Sequence, residues 1–125
     1  VAIEVFHRRA DVSAAAQPKA VFLALASAPA ADAIASLHAQ AAAFPAVKGC
    51  WLFLADPGKG PILTMGFEAS GREGLTAARA FWELAAVRKV TERLAVAEVM
   101  VLSAEDFALV KSVGTKVFRR GWFGL

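Results

Sequence analysis

The stretch GCWLFLADPGKGPILTMGFEA, Gly49 to Ala69, limits what this chain can become more than any other. GCWLFLA (Gly49–Ala55) is apolar throughout, aromatic, and too short for a buried helix, so it reads as a strand. DPGKGP follows with two prolines and two glycines, a composition that turns the chain. ILTMGFE then alternates: Leu63, Met65 and Phe67 point one way, Thr64, Gly66 and Glu68 the other. The expectation is a β-hairpin with one face on the core.

Around the hairpin the pattern changes period. Pro29 is suited to a helix start, and Ile34, Leu37, Ala41 and Phe44 then form one apolar stripe that Pro45 ends. Ser70 and Glu73 have the S-x-x-E spacing of a capping box. The helix they open places Leu75, Ala78, Phe81 or Trp82, and Ala85 on one side, with Val87, Val90 and Leu94 available to prolong it. AVFLALAS (Ala20–Ser27) and AVAEVMVLS (Ala95–Ser103) read as strands, and VAIEVF at the start as a further one. Ser103 and Asp106 open a short helix carrying Phe107, Val110 and Val113, and Gly114 stands where a helix C′ residue belongs. From Val21 the order is β-α-β-β-α-β, then a short helix and a tail. The expected fold is α+β: one domain over residues 1–125, a split βαβ sheet with its two helices on one face, and an extra N-terminal strand at an edge.

Reactive constellations are sparse. Gly58-Lys59-Gly60 follows a strand but lacks the spacing of a phosphate loop and opens no helix, so a hairpin turn is expected. Gly71–Gly74 (GREG) does open a helix, but Glu73 would repel an anion there. His7, His38 and Cys50 sit on three separate elements, which argues against a metal centre, and no cofactor is expected. Cys50 is the single cysteine, so no internal disulfide can form. As a nucleophile it would need a base, His38 being the one candidate; a buried thiol in a strand is the plainer reading. No paired carboxylates stand out. An enzyme is not expected.

Hydrophobic residues make up 58% of the chain, but much of the excess is alanine, and no apolar run reaches the roughly 18 residues of a membrane span. Glu4 interrupts the opening apolar stretch, which speaks against a signal peptide. The first residue is not Met, which leaves room for residues upstream. A cytoplasmic protein is the expectation. Trp51 and Phe53 alternate on one strand without the basic surroundings of an RNA-binding sheet, so neither nucleic acid nor membrane is expected as a partner. Arg88, Lys89 and Arg93 read as a solvated helix end.

The net charge of +3 is placed unevenly: Lys111, Lys116, Arg119 and Arg120 fall in the last fifteen residues, where no acidic residue occurs. The closing GTKVFRRGWFGL therefore combines the chain's basic excess with aromatic residues, the types that dominate interface hot spots. Alternation would turn Val117 and Arg119 one way, Phe118 and Arg120 the other. Lys116, Phe118, Arg119, Arg120, Trp122 and Phe123 are the candidate interaction residues. A homo-oligomer or a protein partner, held through the tail or a sheet edge, is the expected association.

AVFLALASAPAADAIASLHAQAAAFPAVKGCWLFLADPGKGPILTMGFEA resembles the C-terminal domain of the enhanced serine sensitivity protein family (SseB family). Its middle phrase is FPAVKGCWLF, Phe44–Phe53, and KVFRR, Lys116–Arg120, is similar to the family's closing aromatic-then-basic element, with Phe118 in the place of a tyrosine and Lys116 in that of a proline. The resemblance runs from about Lys19 to Arg120. It implies a bacterial cytoplasmic protein associated with serine tolerance, with no established reaction and hence no catalytic residues to carry over. The function expected is a non-catalytic interaction or regulatory module; a small-molecule (amino acid) binding domain and an enzyme using Cys50 are the alternatives.

Overall fold

The computed structural model describes residues 21–120. Nine elements follow in order: β1 (Val21–Leu23), α1 (Ala31–Ala41), β2 (Gly49–Asp56), β3 (Ile62–Glu68), α2 (Gly71–Glu83), α3 (Ala85–Leu94), β4 (Glu98–Val101), α4 (Ala104–Val113) and β5 (Thr115–Arg119). The fold is α+β, as the alternation of periods implies. VAIEVF, the expected N-terminal strand, lies outside the described residues.

The hairpin forms the middle of the sheet. β2 and β3 pair antiparallel from Gly49↔Glu68 to Ala55↔Ile62. In the turn Asp56 Oδ1 accepts from the N–H groups of Gly58 (2.7 Å) and Gly60 (3.1 Å). Both glycines have φ above +100°, which L side chains rarely adopt, so the Gly-Lys-Gly phrase serves the turn.

Strand order departs from the split βαβ expectation. β4 runs parallel beside β3 with no strand between them, Thr64↔Glu98 to Phe67↔Val101. β1 and β5 both pair antiparallel with β2 along its remaining edge, β1 at Leu54–Asp56 and β5 at Gly49–Leu52. The first and last described strands thus lie end to end on one side of β2. Local pattern sets the strands; this sharing of one edge is a long-range choice that no local pattern carries.

Both faces of the sheet are covered, which corrects the one-faced hairpin, while the two helices expected to share a face do so. Alpha helices α1, α2 and α3 cover the face that carries Cys50, Leu52, Met65, Phe67, Val99 and Phe118. Phe81 from α2 centres this layer, meeting Phe44, Phe67 and Phe118 edge-on at 5.5, 5.7 and 6.2 Å. Helix α4 covers the other face, where Trp51, Phe53, Met100, Leu102 and Val110 form a second core. The polar side of β3 is therefore buried as well. Thr64 is fully enclosed and donates its hydroxyl to Ile62 O at 3.0 Å, and a Cβ at Gly66 would lie 2.7 Å from the Phe53 ring.

Helix ends repay attention. Ser103 Oγ accepts from Asp106 N at 3.0 Å, the expected cap. Ser70 occupies the N-cap of α2, but its side chain makes no capping bond, so the box with Glu73 does not form. The apolar run after Phe81 is not one helix: Leu84 is extended (ψ 130°) and separates α2 from α3 without a proline or glycine. Gly114 has an extended backbone; its lack of a Cβ matters because one would lie 2.9 Å from Val110 O. The left-handed cap belongs instead to Ala95, φ 64°, after α3.

Candidate functional site

The basic-aromatic C-terminal segment separates into buried and surface parts. β5 carries a bulge: Cys50 pairs with Phe118 and Trp51 with Lys116, leaving Val117 as the extra residue. The bulge turns Val117 and Phe118 into the same helix-covered core, both 4% exposed. Simple alternation would have sent Val117 to the other face. Phe118 is thus a core residue, with His38 of α1 stacked on its ring at 5.9 Å.

The two arginines do different work. Arg120, half-buried, donates to three carbonyl oxygens: Nε to Val47 O (3.0 Å), and Nη2 to Ala41 O and Phe44 O (3.3 Å). These belong to the last residue of α1 and the segment after it; Ala41 O and Phe44 O also accept the backbone N–H groups of Phe44 and Val47, at 2.9 and 3.0 Å. Its own N–H continues the sheet to Lys48 O at 2.8 Å. Arg119 points to the α4 face. Its Nε meets Glu68 Oε1 at 3.1 Å, and its guanidinium lies 5.1 Å from the centre of the Phe107 ring. Lys111 Nζ stands 5.8 Å from the same ring. Lys116 is exposed beside them. Trp122 and Phe123 lie outside the described residues.

Among the described residues, β5 pairs on one side only. An antiparallel ladder directs alternate backbone groups to each side, so the outer edge of β5 offers hydrogen-bonding groups, with Lys116 and Arg119 at hand.

A second feature lay beyond the reach of sequence. Residues 43–46, after α1, and the outer side of α2 bound an open groove of about 650 Å³. Phe44, Pro45, Ala77 and Ala80 supply apolar walls, and Arg72, Glu73 and Thr76 stand at its polar side. Its parts are 26 to 37 positions apart in the chain, and the small residues that shape it carry no periodic signal.

The chemistry considered for Cys50 finds no support in its surroundings. The thiol is fully enclosed, and burial pushes its pKa far above the ordinary 9.0, which suppresses the thiolate. His38 is exposed on α1 and engaged with Phe118. Among the described residues no three His, Cys, Asp or Glu side chains gather to hold a metal ion. None of the described helices is long and apolar enough to cross a membrane. At the end of α3, Arg93 meets Asp32 of α1 at 2.9 Å, and that hydrogen bond holds the Asp32 carboxyl below its usual range. Arg88 lies over the Trp82 ring at 5.3 Å. The cluster with Lys89 is thus partly engaged within the domain.

No family model matches the sequence, and no curated protein or solved structure is significantly similar to it.

Proposed function

We propose that the domain is a non-catalytic interaction module that pairs an extended segment of another protein against the outer edge of β5. The observation that carries this reading is the one-sided pairing of β5, with exposed Lys116 and surface Arg119 beside the open edge. Strand addition draws affinity from the main chain and selectivity from alternate side chains. A second copy would bring its own Lys116 and Arg119 to an edge that is already basic, which opposes self-pairing. The partner segment is therefore acidic. The resemblance to the enhanced serine sensitivity family belongs to the same reading, and it brings no reaction with it. A cytoplasmic setting accords with the lone, reduced Cys50.

The test uses the full chain and two extended probe peptides, one alternating Glu with Val and one alternating Lys with Val, followed by fluorescence anisotropy. The acidic peptide should bind more tightly than the basic one, and Lys116→Glu should reverse the preference. Equal binding of both peptides, or of neither, would overturn the proposal.

The groove favours a second reading, an amino-acid binding domain. Arg72 and Glu73 place a cation and an anion at one side of an apolar cleft, the pattern a zwitterion with an apolar side chain would meet. A rise in Tm of the full chain with one member of an amino-acid panel, abolished by Arg72→Ala, is the expected sign; no shift across the panel refutes it.

A further inference from the structure

We infer that Glu68 holds, within the domain, the place at Arg119 that an acidic side chain of the added strand takes on binding, and that Glu68 then turns to the Trp51 indole. That role rests on the β5-edge reading and adds a rule of position to it. The bulge is the starting point. With Val117 as the extra residue, Lys116 and Arg119 stand on the same face of the sheet, beside Trp51 and Phe107. Gly49 pairs with Glu68 on one side and Arg119 on the other, so these three form one row across β3, β2 and β5. The middle position has no side chain, and the outer two meet over it. Arg119 Nε donates to Glu68 Oε1 at 3.1 Å, and Nη2 to Oε2 at 3.4 Å.

Trp51 lies one row along, and its indole nitrogen borders the same gap. A Cβ on Gly49 would lie 2.8 Å from Glu68 Oε1 and 3.3 Å from Trp51 Nε1. Trp51 is 5% exposed, and its Nε1 is a buried donor without an acceptor. Such a donor is costly to leave unmade. Two donors, Arg119 and the Trp51 indole, thus border one carboxylate, and Arg119 holds it. One acceptor is missing from the set. A strand added beside β5 supplies it, because the residue opposite Arg119 extends the row and points to the same face. An acidic side chain there takes the guanidinium from outside, and Glu68 swings over Gly49 to accept the indole N–H. The pair it leaves is partly exposed, with 26% and 41% of the side chains open to water, so the exchange is cheap. Arg119 has one carboxylate before and after, which leaves Lys116 to attract the segment. An acid opposite Arg119 satisfies both donors; an aliphatic residue there leaves the indole unpaired.

The experiment uses the full chain, the Glu/Val probe peptide and a Gln/Val peptide of equal length, with affinity read by fluorescence anisotropy. The indole N–H resonance of Trp51, assigned by its loss in Trp51→Phe, is followed in the same titrations. The Glu/Val peptide should move that resonance downfield, and the Gln/Val peptide should leave it in place. Glu68→Gln keeps the size of the side chain and an acceptor for Trp51 but loosens its hold on Arg119. The Glu/Val peptide should then bind about two- to fivefold more tightly. Glu98→Gln removes one negative charge from β4, at the far edge of the sheet, and should change the affinity much less. Tight binding of the Glu/Val peptide with an unmoved Trp51 resonance would overturn the inference, and that readout needs no variant of Glu68. An equal shift with the Gln/Val peptide, or equal gains from Glu68→Gln and Glu98→Gln, would overturn it too. Those three results leave the β5-edge reading standing. A Glu/Val peptide that binds no better than the Lys/Val peptide would remove both.

Discussion

Replacing Arg120 by alanine should destabilise the domain far more than the same change at its neighbour Arg119. Arg120→Ala removes one donor from each of three carbonyl oxygens at and just after the end of α1, two of which keep a backbone N–H partner. A hydrogen bond involving a charged group contributes about 1.5–3 kcal/mol. One of the three contacts is long at 3.3 Å, and the side chain is only half-buried, so water replaces part of what is lost. A loss of about 2–4 kcal/mol follows. Arg119→Ala removes an ion pair whose partners keep 41% and 26% of their side-chain exposure, and such a pair is worth about 0.5 kcal/mol. Equilibrium urea unfolding separates the two cases. With a slope of about 2 kcal/mol/M, the midpoint should fall by about 1–2 M for Arg120→Ala and by about 0.3 M for Arg119→Ala. Arg120→Lys should recover little, because one ammonium cannot span acceptors on Ala41, Phe44 and Val47 at once. Equal losses at the two arginines, or full rescue by lysine, would refute the reasoning: the pair would then be acting as charge and not as a helix cap.

Three other perturbations follow from the packing. Cys50 has a folded pKa raised above its unfolded value, so the native state holds its proton longer, and stability should fall as pH rises above 9.0 by about 1.4 kcal/mol per unit. The chain has no tyrosine to obscure that limb, and Cys50→Ala should flatten it; an unchanged slope in the variant would show another group responsible. Gly66→Ala places a methyl group 2.7 Å from the Phe53 ring and 3.0 Å from Leu102, and overpacking of about 1–3 kcal/mol should appear in chemical denaturation. Ala95→Gly should do the reverse, raising stability by about 0.5–1 kcal/mol, since Ala95 holds a left-handed φ of 64° that glycine adopts freely; a lower midpoint would argue against a strained cap.

The elements whose signals are local were legible in the sequence. The hairpin shows in an apolar run, a Gly-Pro turn and an alternation, and it pairs over the predicted residues from Gly49 to Glu68. The cap of α4 shows in Ser103 and Asp106. What could not be read depends on residues distant in the chain. Burial of Thr64 and Gly66 follows from α4 closing the second face, some forty positions later. Nothing in the run around Leu84 marks the break between α2 and α3. The groove arises from alanines that present no stripe, so only the placing of residues 43–46 against α2 reveals it.

The paired arginines show why a count of charges misleads at a strand end. In sequence, Arg119 and Arg120 are one basic step in a tail with no acids. In the sheet, successive side chains take opposite faces. One faces Glu68 and Phe107 over the α4 layer, and the other reaches the carbonyls of Ala41, Phe44 and Val47 under α1. Glu68 offsets the first charge and peptide dipoles engage the second. Of the two exposed basic residues on β5, Arg119 is paired with Glu68, so Lys116 contributes the less compensated charge at the open edge. An interaction surface built on a single lysine and a row of backbone groups takes its affinity from the main chain. Such a surface selects a partner by extended shape first and by charge second, so raising the salt concentration should weaken the acidic peptide's binding without abolishing it.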